Sequence, residues 1–218
     1  PVGVAGRIGL FPCHGTCIKY ATGERVRGLF NCSHSMIKQL QLESLSDGVP
    51  VIPADAVAFY KHNCMVCLHH NGHGSPVLVS VEYEQQNTSF EIAWLGETTE
   101  RLMQQYREPT SAVNFAACAI ALMLVREMTE FTAVEQSAIG TTIDYYLSFQ
   151  EQDDMLIFNH AARLEVSGIL AESSQNTVDG RIREKLRRLK PEGSLPDIVA
   201  VVEFSRPWSK IVRDEHRP

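Results

Sequence analysis

The sequence predicts a mixed α+β protein, in which a β-rich first part is followed by an αββαβ core. In the first hundred residues, short apolar segments alternate with polar residues and turns, as is typical of strands. After residue 96, longer segments with helical periodicity lie between apolar strand-like runs, as in a sheet covered by helices. Because this change falls near residues 95–109, we expect two domains, 1–96 and 97–218.

The composition is that of an ordinary globular protein. The 218 residues are 44% hydrophobic and 21% charged, which is enough apolar material for a core. The net charge of −6 argues against non-specific adhesion to nucleic acid, although it leaves room for a local basic surface. The longest apolar run, 115–125, is shorter than the ~20 residues that span a bilayer, and residues 1–12 lack the apolar core of a secretory signal. We therefore expect a cytoplasmic protein with no membrane partner.

Short apolar segments in the first part are bounded by turn residues and predict strands. Segments 17–22 and 24–30 flank a Gly-Glu turn and predict a hairpin. Segment 33–45 has apolar residues three to four apart and predicts a helix. The remaining strands are expected at 49–52, 56–60, 65–70, 76–84 and 89–95, with a turn at 85–88 between the last two.

The second part has two long helix patterns. Residues 110–136 are apolar nearly all round in their middle, which is typical of a helix buried against a sheet, and we expect this helix to end before Gly140. Residues 177–190 are amphipathic and predict a second helix. The other expected elements are a short helix at 96–108, strands at 142–149, 155–170 and 197–204, and an edge strand or tail at 210–218.

Four cysteines form two close pairs, Cys13 with Cys17 and Cys64 with Cys67. Two such pairs on turns would place four thiolates around one tetrahedral Zn²⁺, whose sulfur ligands lie at about 2.3 Å. A structural zinc would then stabilise the β-rich part, which has little core of its own. In one alternative, Cys32 or a nearby histidine replaces a thiolate, and in another the cysteines are buried core residues. The histidines are His69, His70 and His73.

Two acidic residues fall on neighbouring predicted strands. Asp144 opens strand 142–149, and Glu165 lies within strand 155–170, where ARLEVSGI alternates polar and apolar residues. If these strands pair, a side-chain period of two puts both carboxylates on one face. Carboxylates held a few ångströms apart repel each other unless a proton or a cation lies between them, and Mg²⁺ or Mn²⁺ prefers such oxygen ligands. The alternative is that Glu165 is a charge on the solvent face of a sheet.

This pattern resembles the core of the PD-(D/E)xK nuclease superfamily, also called restriction-endonuclease-like, over residues 110–205. In that family a helix carrying a Glu precedes the strand with the Asp, and the next strand carries the (D/E)-x-K signature. The resemblance implies that Glu127, Asp144 and Glu165 bind a divalent cation, Mg²⁺ or Mn²⁺. It also implies a restriction-endonuclease-like fold for the αββαβ core and an activity that hydrolyses phosphodiester bonds in DNA.

One position departs from the family pattern, because Ser167 stands where the family's Lys is expected. That Lys positions the attacking water and neutralises charge in the transition state, and a serine hydroxyl cannot neutralise charge. Some family members carry the Lys on the neighbouring helix, which makes Lys185 the catalytic candidate here. The alternative is that Lys185 is a solvated helix charge and that the fold persists without cleavage.

Six basic residues and one acidic residue lie between 181 and 190 of an otherwise acidic protein. Such a positive stripe can bind the phosphates of a nucleic acid and release their counterions. The alternatives are a polar helix face opposite an apolar one and a docking surface for an acidic partner subunit. The residues expected to contact nucleic acid are Arg181, Arg183, Arg187 and Arg188.

Two functions are consistent with these features. The first is a metal-dependent nuclease or nuclease-like subunit that acts on DNA in a bacterial defence system. The second is a non-catalytic interaction subunit of a multi-protein bacterial complex, which the missing Lys and the acidic net charge favour. A protein partner or a homo-oligomer is expected in either case. A zinc hydrolase or deaminase is disfavoured, because the chain lacks an H-x-E followed by a P-C-x-x-C element.

Overall fold

A computed structural model describes residues 37–47, 52–150, 158–189 and 195–215. These residues form eight β-strands and four α-helices, which confirms the mixed α/β class. The strands are β1 (Lys38–Gln41), β2 (Val77–Tyr83), β3 (Gln86–Ala93), β4 (Phe131–Gln136), β5 (Tyr145–Phe149), β6 (Ala162–Ile169), β7 (Asp197–Glu203) and β8 (Trp208–Asp214). The helices are α1 (Val57–His70), α2 (Glu100–Gln105), α3 (Val113–Met128) and α4 (Val178–Arg188).

The eight described strands belong to one mixed sheet, in the order β1-β3-β2-β8-β7-β6-β5-β4. Three neighbouring pairs are parallel, β1 with β3, β2 with β8 and β6 with β7, and the other pairs are antiparallel. Parallel neighbours need a crossover connection. Helix α4 lies in the crossover between β6 and β7. The chain leaves β6, runs back through α4 and then enters β7 parallel to β6.

The sheet is covered on both faces near its β6–β7 pair. Successive residues of a strand point to opposite faces. On one face, Leu164 and Val166 of β6 belong to the same buried cluster as α1 and α3. On the other face, Val199 and Val201 of β7 cluster with Ile182 of α4. This double cover explains why every residue of β7 is buried.

Helix α3 approaches β6 closely at Gly168. A Cβ atom at this position would lie 2.4 Å from Val113 Cγ1 and 2.6 Å from the Val113 carbonyl oxygen, which is too short for van der Waals contact. The facing residue Ala117 is itself small and fully buried. Small residues on both elements therefore let the first half of α3 lie directly on the C-terminal half of β6.

Several sequence-based predictions are confirmed. Strands β2 and β3 pair as an antiparallel hairpin, although its turn is at Glu84 and Gln85, both with positive φ, and not at 85–88. Helix α4 is amphipathic as predicted, and the Thr177 hydroxyl accepts the Gly180 N–H and so caps its first turn. Elements α2, β5, β6 and β7 also lie within the segments predicted for them.

Other predicted elements are wrong. Residues 57–60 and 65–70, which lie in segments predicted as strands, belong to α1, because a short apolar run looks the same in a buried helix and in a strand. Within the described residues, the predicted helix at 33–45 is strand β1 followed by a 3-10 turn. The predicted helix at 110–136 ends at Met128, and β4 occupies residues 131–136 of that segment.

The end of α3 lacks a glycine or proline signal in the sequence. The Thr129 hydroxyl donates to the Val125 carbonyl oxygen at 2.7 Å and accepts the Phe131 N–H at 3.1 Å. One side chain thus serves both the last turn of α3 and the start of β4, which periodicity cannot reveal. Strand β8 also differs from its prediction, because it lies between β2 and β7 and not at a sheet edge.

Some predictions fall on parts of the chain that the structure does not describe. The hairpin at 17–30 and the cysteines Cys13, Cys17 and Cys32 lie outside the described residues. Strands from both sides of the boundary predicted between 96 and 97 belong to one sheet, joined through β2 and β8. Among the described residues, that boundary therefore does not separate two sheets.

Candidate active site

An open stretch of β6 marks the candidate site. Strand β5 pairs with β6 over three residue pairs. The last of these toward the C-terminal end of β6 is Tyr145 with Leu164. Strand β6 continues along β7 as far as Ile169. From Glu165 onward, no described strand pairs with β6 on the β5 side. We call this open stretch, from Glu165 to Ile169, the notch.

The Asp144 carboxylate lies at the notch, one residue before β5. Its Oδ2 atom accepts the Val166 N–H at 2.7 Å, and the Asp144 N–H donates to the Leu164 carbonyl oxygen at 2.8 Å. A carboxylate thus satisfies a backbone N–H of β6 that has lost its partner in β5. These two hydrogen bonds hold the Asp144 side chain next to Glu165.

Lys185 reaches Glu165 from α4. Its Nζ atom donates to Glu165 Oε1 and forms an ion pair with it. The Glu165 side chain is 11% exposed and the Lys185 side chain 18% exposed, so the pair is largely removed from water. The notch therefore brings together three charged groups from separate elements: Asp144, Glu165 and Lys185.

The environment of Glu165 favours its protonated form. Burial, as the main cause, raises the pKa of Glu165 to about 7. The hydrogen bond from Lys185 lowers this pKa, and the charge of the neighbouring Asp144 raises it again. At neutral pH this carboxyl group is therefore about half ionised. A bound cation lowers the pKa of such a carboxyl group, because the added positive charge stabilises the ionised form.

Ser167, two residues after Glu165 on the same strand face, is buried. Its hydroxyl carries no charge. At the notch, the positive charge comes from Lys185 of α4.

Three side chains that the sequence analysis did not single out lie behind the notch. Tyr145 of β5 neighbours Tyr60 of α1 and Cys118 of α3. Burial raises the pKa of Tyr145, and it raises the pKa of the Cys118 thiol to about 12. The charges of Asp144 and Glu165 raise the Cys118 pKa further, which places this thiol within electrostatic reach of the acidic pair. Residues so far apart in the chain give no local signal of their association.

Glu127 is not brought to the notch. It lies in the last turn of α3, where it forms an ion pair with Lys38 of β1. Nine residues separate it from Cys118 on the same helix, which is about 13 Å of helix rise.

The cysteines of α1 are buried core residues. Cys64 and Cys67 lie one turn apart on a helix, not on a turn, and both are fully buried. The Cys64 thiol donates to the Ala116 carbonyl oxygen at 3.3 Å, and the Cys67 thiol to the Pro109 carbonyl oxygen at 4.0 Å. Burial raises the pKa of both thiols, that of Cys67 to about 12.

The four-cysteine zinc site stays a prediction, because half of its ligands lie outside the described residues. Of the histidines proposed as substitutes, His73 contacts the Ser205 carbonyl oxygen through Nε2 at 3.0 Å. Within the described ranges, the His, Cys, Asp and Glu side chains form no group of three or more that could hold a metal ion.

The arginines of α4 divide into two groups around the helix. At 100° per residue, Arg181 and Arg188 lie within about 60° of Lys185. Arg183 and Arg187 lie about 160° away from Lys185, on the far side of the helix. The first two also contact Glu184, at 3.9 Å from Arg181 and 3.3 Å from Arg188. Of these four arginines, only Arg181 and Arg188 therefore lie on the Lys185 side of α4.

No family model, curated protein or solved structure matches the chain. Within the described part of the chain, the helices include none with the length and hydropathy of a bilayer span.

Proposed function

We propose that the protein is a metal-dependent nuclease of the PD-(D/E)xK type that acts on DNA. One observation carries this proposal: Asp144, Glu165 and Lys185 converge at the notch. The order of elements supports it, since α3 precedes the Asp, β6 carries the Glu and α4 follows. Strand β4 is an additional strand relative to the αββαβ order expected from the sequence.

The donor set at the notch fits a hard divalent cation. Mg²⁺ is usually held by one or two carboxylates together with water and substrate phosphate. Asp144 Oδ2 and Glu165 Oε1 already accept hydrogen bonds, from Val166 N–H and Lys185. The remaining oxygens, Asp144 Oδ1 and Glu165 Oε2, carry neither of these bonds, and we expect them to bind the cation. When bound, such an ion supplies an acidified water and positive charge next to a scissile phosphate.

The side chains at the notch have separate tasks in this proposal. The Val166 N–H keeps the Asp144 carboxylate oriented, so the metal site is preorganised by the strand itself. Lys185 holds Glu165 in place before substrate binds. It then positions the attacking water and stabilises the negative charge that develops on the phosphate. A lysine on α4 thereby does what Ser167 on the strand cannot do.

Phosphates next to the scissile bond are expected to contact Arg181 and Arg188. Both lie on the Lys185 side of α4, with 30% and 64% of their side chains exposed. Arg183 and Arg187, on the far side of the helix, are expected to contribute little. This division of the four arginines refines the stripe predicted from the sequence.

A cleavage assay with Mg²⁺ or Mn²⁺ tests the proposal. We expect D144N and E165Q each to lower the rate of DNA cleavage by about 100-fold or more, because each removes a carboxylate that holds the cation. We expect a loss of similar size for K185A, with partial recovery in K185R because the charge is kept. The rates are measured on plasmid and on oligonucleotide DNA, with EDTA as the metal-free reference.

Matched controls come from the same helix and sheet. Asp179 forms an ion pair with Lys210, which also pairs with Glu82, so D179N and K210A remove the same kinds of charge away from the notch. Both variants should cut at the wild-type rate. A wild-type rate in D144N or E165Q would refute the assignment.

A second candidate is a non-catalytic interaction subunit, and the observation that favours it is Ser167 in place of the strand lysine. In that case no metal supports turnover by the wild-type chain. The protein is instead recovered in a stable complex with a partner subunit, and D144N leaves that complex intact.

A further inference from the structure

A histidine and a glutamate form a hydrogen-bonded pair close to the notch. His160 lies two residues before β6, and its Nε2 atom is 2.9 Å from Glu135 Oε2 of β4. The His160 ring also stacks on the Tyr146 ring of β5, with centroids 4.0 Å apart and an angle of 9° between the planes. We call His160 and Glu135 the dyad.

The dyad adjoins the face of the sheet that α4 covers, which is also the face of Lys185. Tyr146, on which His160 stacks, packs against the buried cluster that contains Ile182 of α4. Asp144 lies two residues before Tyr146 and on the same face. Because a strand rises about 3.3 Å per residue, their Cα atoms are about 7 Å apart. The ring that supports His160 is therefore one strand step from the acidic pair.

The sheet holds this row of side chains in place. Tyr146 pairs in register with Glu135 on one side and with Arg163 on the other. Arg163 donates two hydrogen bonds to Asp197 of β7, at 2.7 Å and 2.9 Å, and both side chains are buried. A ring with such fixed neighbours gives His160 a rigid support, as a catalytic side chain requires.

The two nitrogens of the His160 ring have different surroundings. Nε2 is occupied by the Glu135 carboxylate, which orients the imidazole as a carboxylate does beside a catalytic histidine. Nδ1 is then the nitrogen that can serve a substrate. The side chain is 31% exposed, so a ligand at the notch can reach it. A histidine oriented in this way is suited to proton transfer.

Lys185 and the dyad approach the notch from different sides. Lys185 belongs to α4, which packs on β7, whereas Glu135 belongs to β4, two strands away from β6 in the opposite direction. In phosphoryl transfer the attacking and leaving oxygens lie roughly in line through the phosphorus. Lys185 serves the attacking water in the proposed function, so the leaving oxygen needs a second group on another side.

We propose that His160 is the general acid that protonates the leaving oxygen and that Glu135 is its positioning residue. The attacking water forms a bond to phosphorus and releases one proton to solvent. The bond from phosphorus to the leaving oxygen breaks, its electron pair stays on that oxygen, and the oxygen takes the proton from His160 Nδ1. Solvent returns a proton to His160 before the next turnover. This inference rests on the proposed nuclease function and adds the residue that serves its leaving group.

Two DNA strands with different leaving groups test this inference on the full chain with Mn²⁺. The ends of the wild-type products show which oxygen leaves, and the second strand carries sulfur in place of that oxygen. An alkoxide needs a proton to leave, whereas a thiolate leaves as a stable anion. We expect H160Q to cut the oxygen strand about 100-fold more slowly than wild type or less efficiently still, and the sulfur strand within about threefold of the wild-type rate.

Two further variants accompany H160Q. E135Q should show the same difference between the strands at smaller size, with a loss of about tenfold on the oxygen strand, because it only orients the ring. H70Q is the matched control, since His70 is exposed and lies at the end of α1, which covers the other face of the sheet. It should cut both strands like wild type. H160Q should also bind Mn²⁺ like wild type, because the general acid is not a metal ligand.

The outcomes separate this inference from the nuclease proposal. A wild-type chain that cuts DNA and is matched by H160Q on the oxygen strand refutes the general acid alone. Equal slowing of both strands by H160Q, or loss of its Mn²⁺ binding, overturns the inference as well, because either result indicates a structural or metal-binding role. A wild-type chain that cuts neither strand refutes the nuclease and the general acid together.

Discussion

Replacement of Glu165 by Gln tests whether the buried carboxyl group at the notch destabilises the fold at neutral pH. Burial raises the pKa of Glu165 from 4.5 to about 7, with Lys185 acting against the rise and Asp144 adding to it. The folded chain therefore binds this proton more tightly than the unfolded chain. By linkage, the free energy of unfolding falls as the pH rises from 4.5 to about 7 and is constant above that range.

The size of the effect follows from the two pKa values. Each unit of difference corresponds to about 1.4 kcal/mol, so the interval from 4.5 to about 7 corresponds to about 3 kcal/mol. Glutamine has the shape of the protonated side chain and does not titrate. We expect E165Q to be about 3 kcal/mol more stable than wild type near pH 8, and the difference to shrink below about 1 kcal/mol near pH 5. In a chain of this size, about 3 kcal/mol raises Tm by about 6–12 °C.

Urea unfolding at both pH values, with EDTA present to remove cations, measures this difference. E184Q is the control, because Glu184 lies one residue from Lys185 on α4 but its side chain is 43% exposed. It should change stability by less than about 0.5 kcal/mol at either pH. If E165Q is no more stable than wild type near pH 8, then folding does not raise the pKa of Glu165, and the description of the notch is wrong.

Two further predictions concern the packing that builds the site. G168A should lower the free energy of unfolding by about 1–3 kcal/mol, because the added methyl group meets Val113 Cγ1 at 2.4 Å and a backbone oxygen at 2.6 Å; G74A, with nothing within 4 Å, is the matched control in the same urea titration. T177A removes the hydroxyl that accepts the Gly180 N–H at 3.1 Å and should cost about 1 kcal/mol in thermal unfolding. Because Lys185 lies two turns further along α4, T177A should leave cleavage unchanged at saturating metal.

Helix α4 and strand β2, which the sequence predicted well, each have an uncovered face. Helix α4 has one apolar and one charged side, and β2 alternates buried and exposed residues, so each has a clear period. Helix α1 has none, because Asn63 and the five residues that follow it are all buried. An element buried all round loses the contrast on which periodicity depends, so short apolar runs predicted strands, correctly for β7 and wrongly for α1.

Some features of the candidate site could also be predicted from the sequence, and others could not. A period of two was enough to predict Asp144 and Glu165 on one face if the two strands pair, and the resemblance to the nuclease family suggested Lys185 on the neighbouring helix. The hydrogen bond from Val166 N–H to Asp144 could not be predicted, because it depends on β5 ending one residue short of Glu165. Glu127 was assigned by analogy with a helix glutamate, but its place along α3 puts it beside Lys38.

The most direct test of the account is a titration of the purified chain with Mn²⁺, followed by calorimetry or by electron paramagnetic resonance. We propose that Asp144 and Glu165 bind one cation together and that Glu127 does not bind it. We expect one bound Mn²⁺ per wild-type chain, loss of that binding in D144N and in E165Q, and unchanged binding in E127Q. Equal Mn²⁺ binding by wild type, D144N and E165Q would contradict the account.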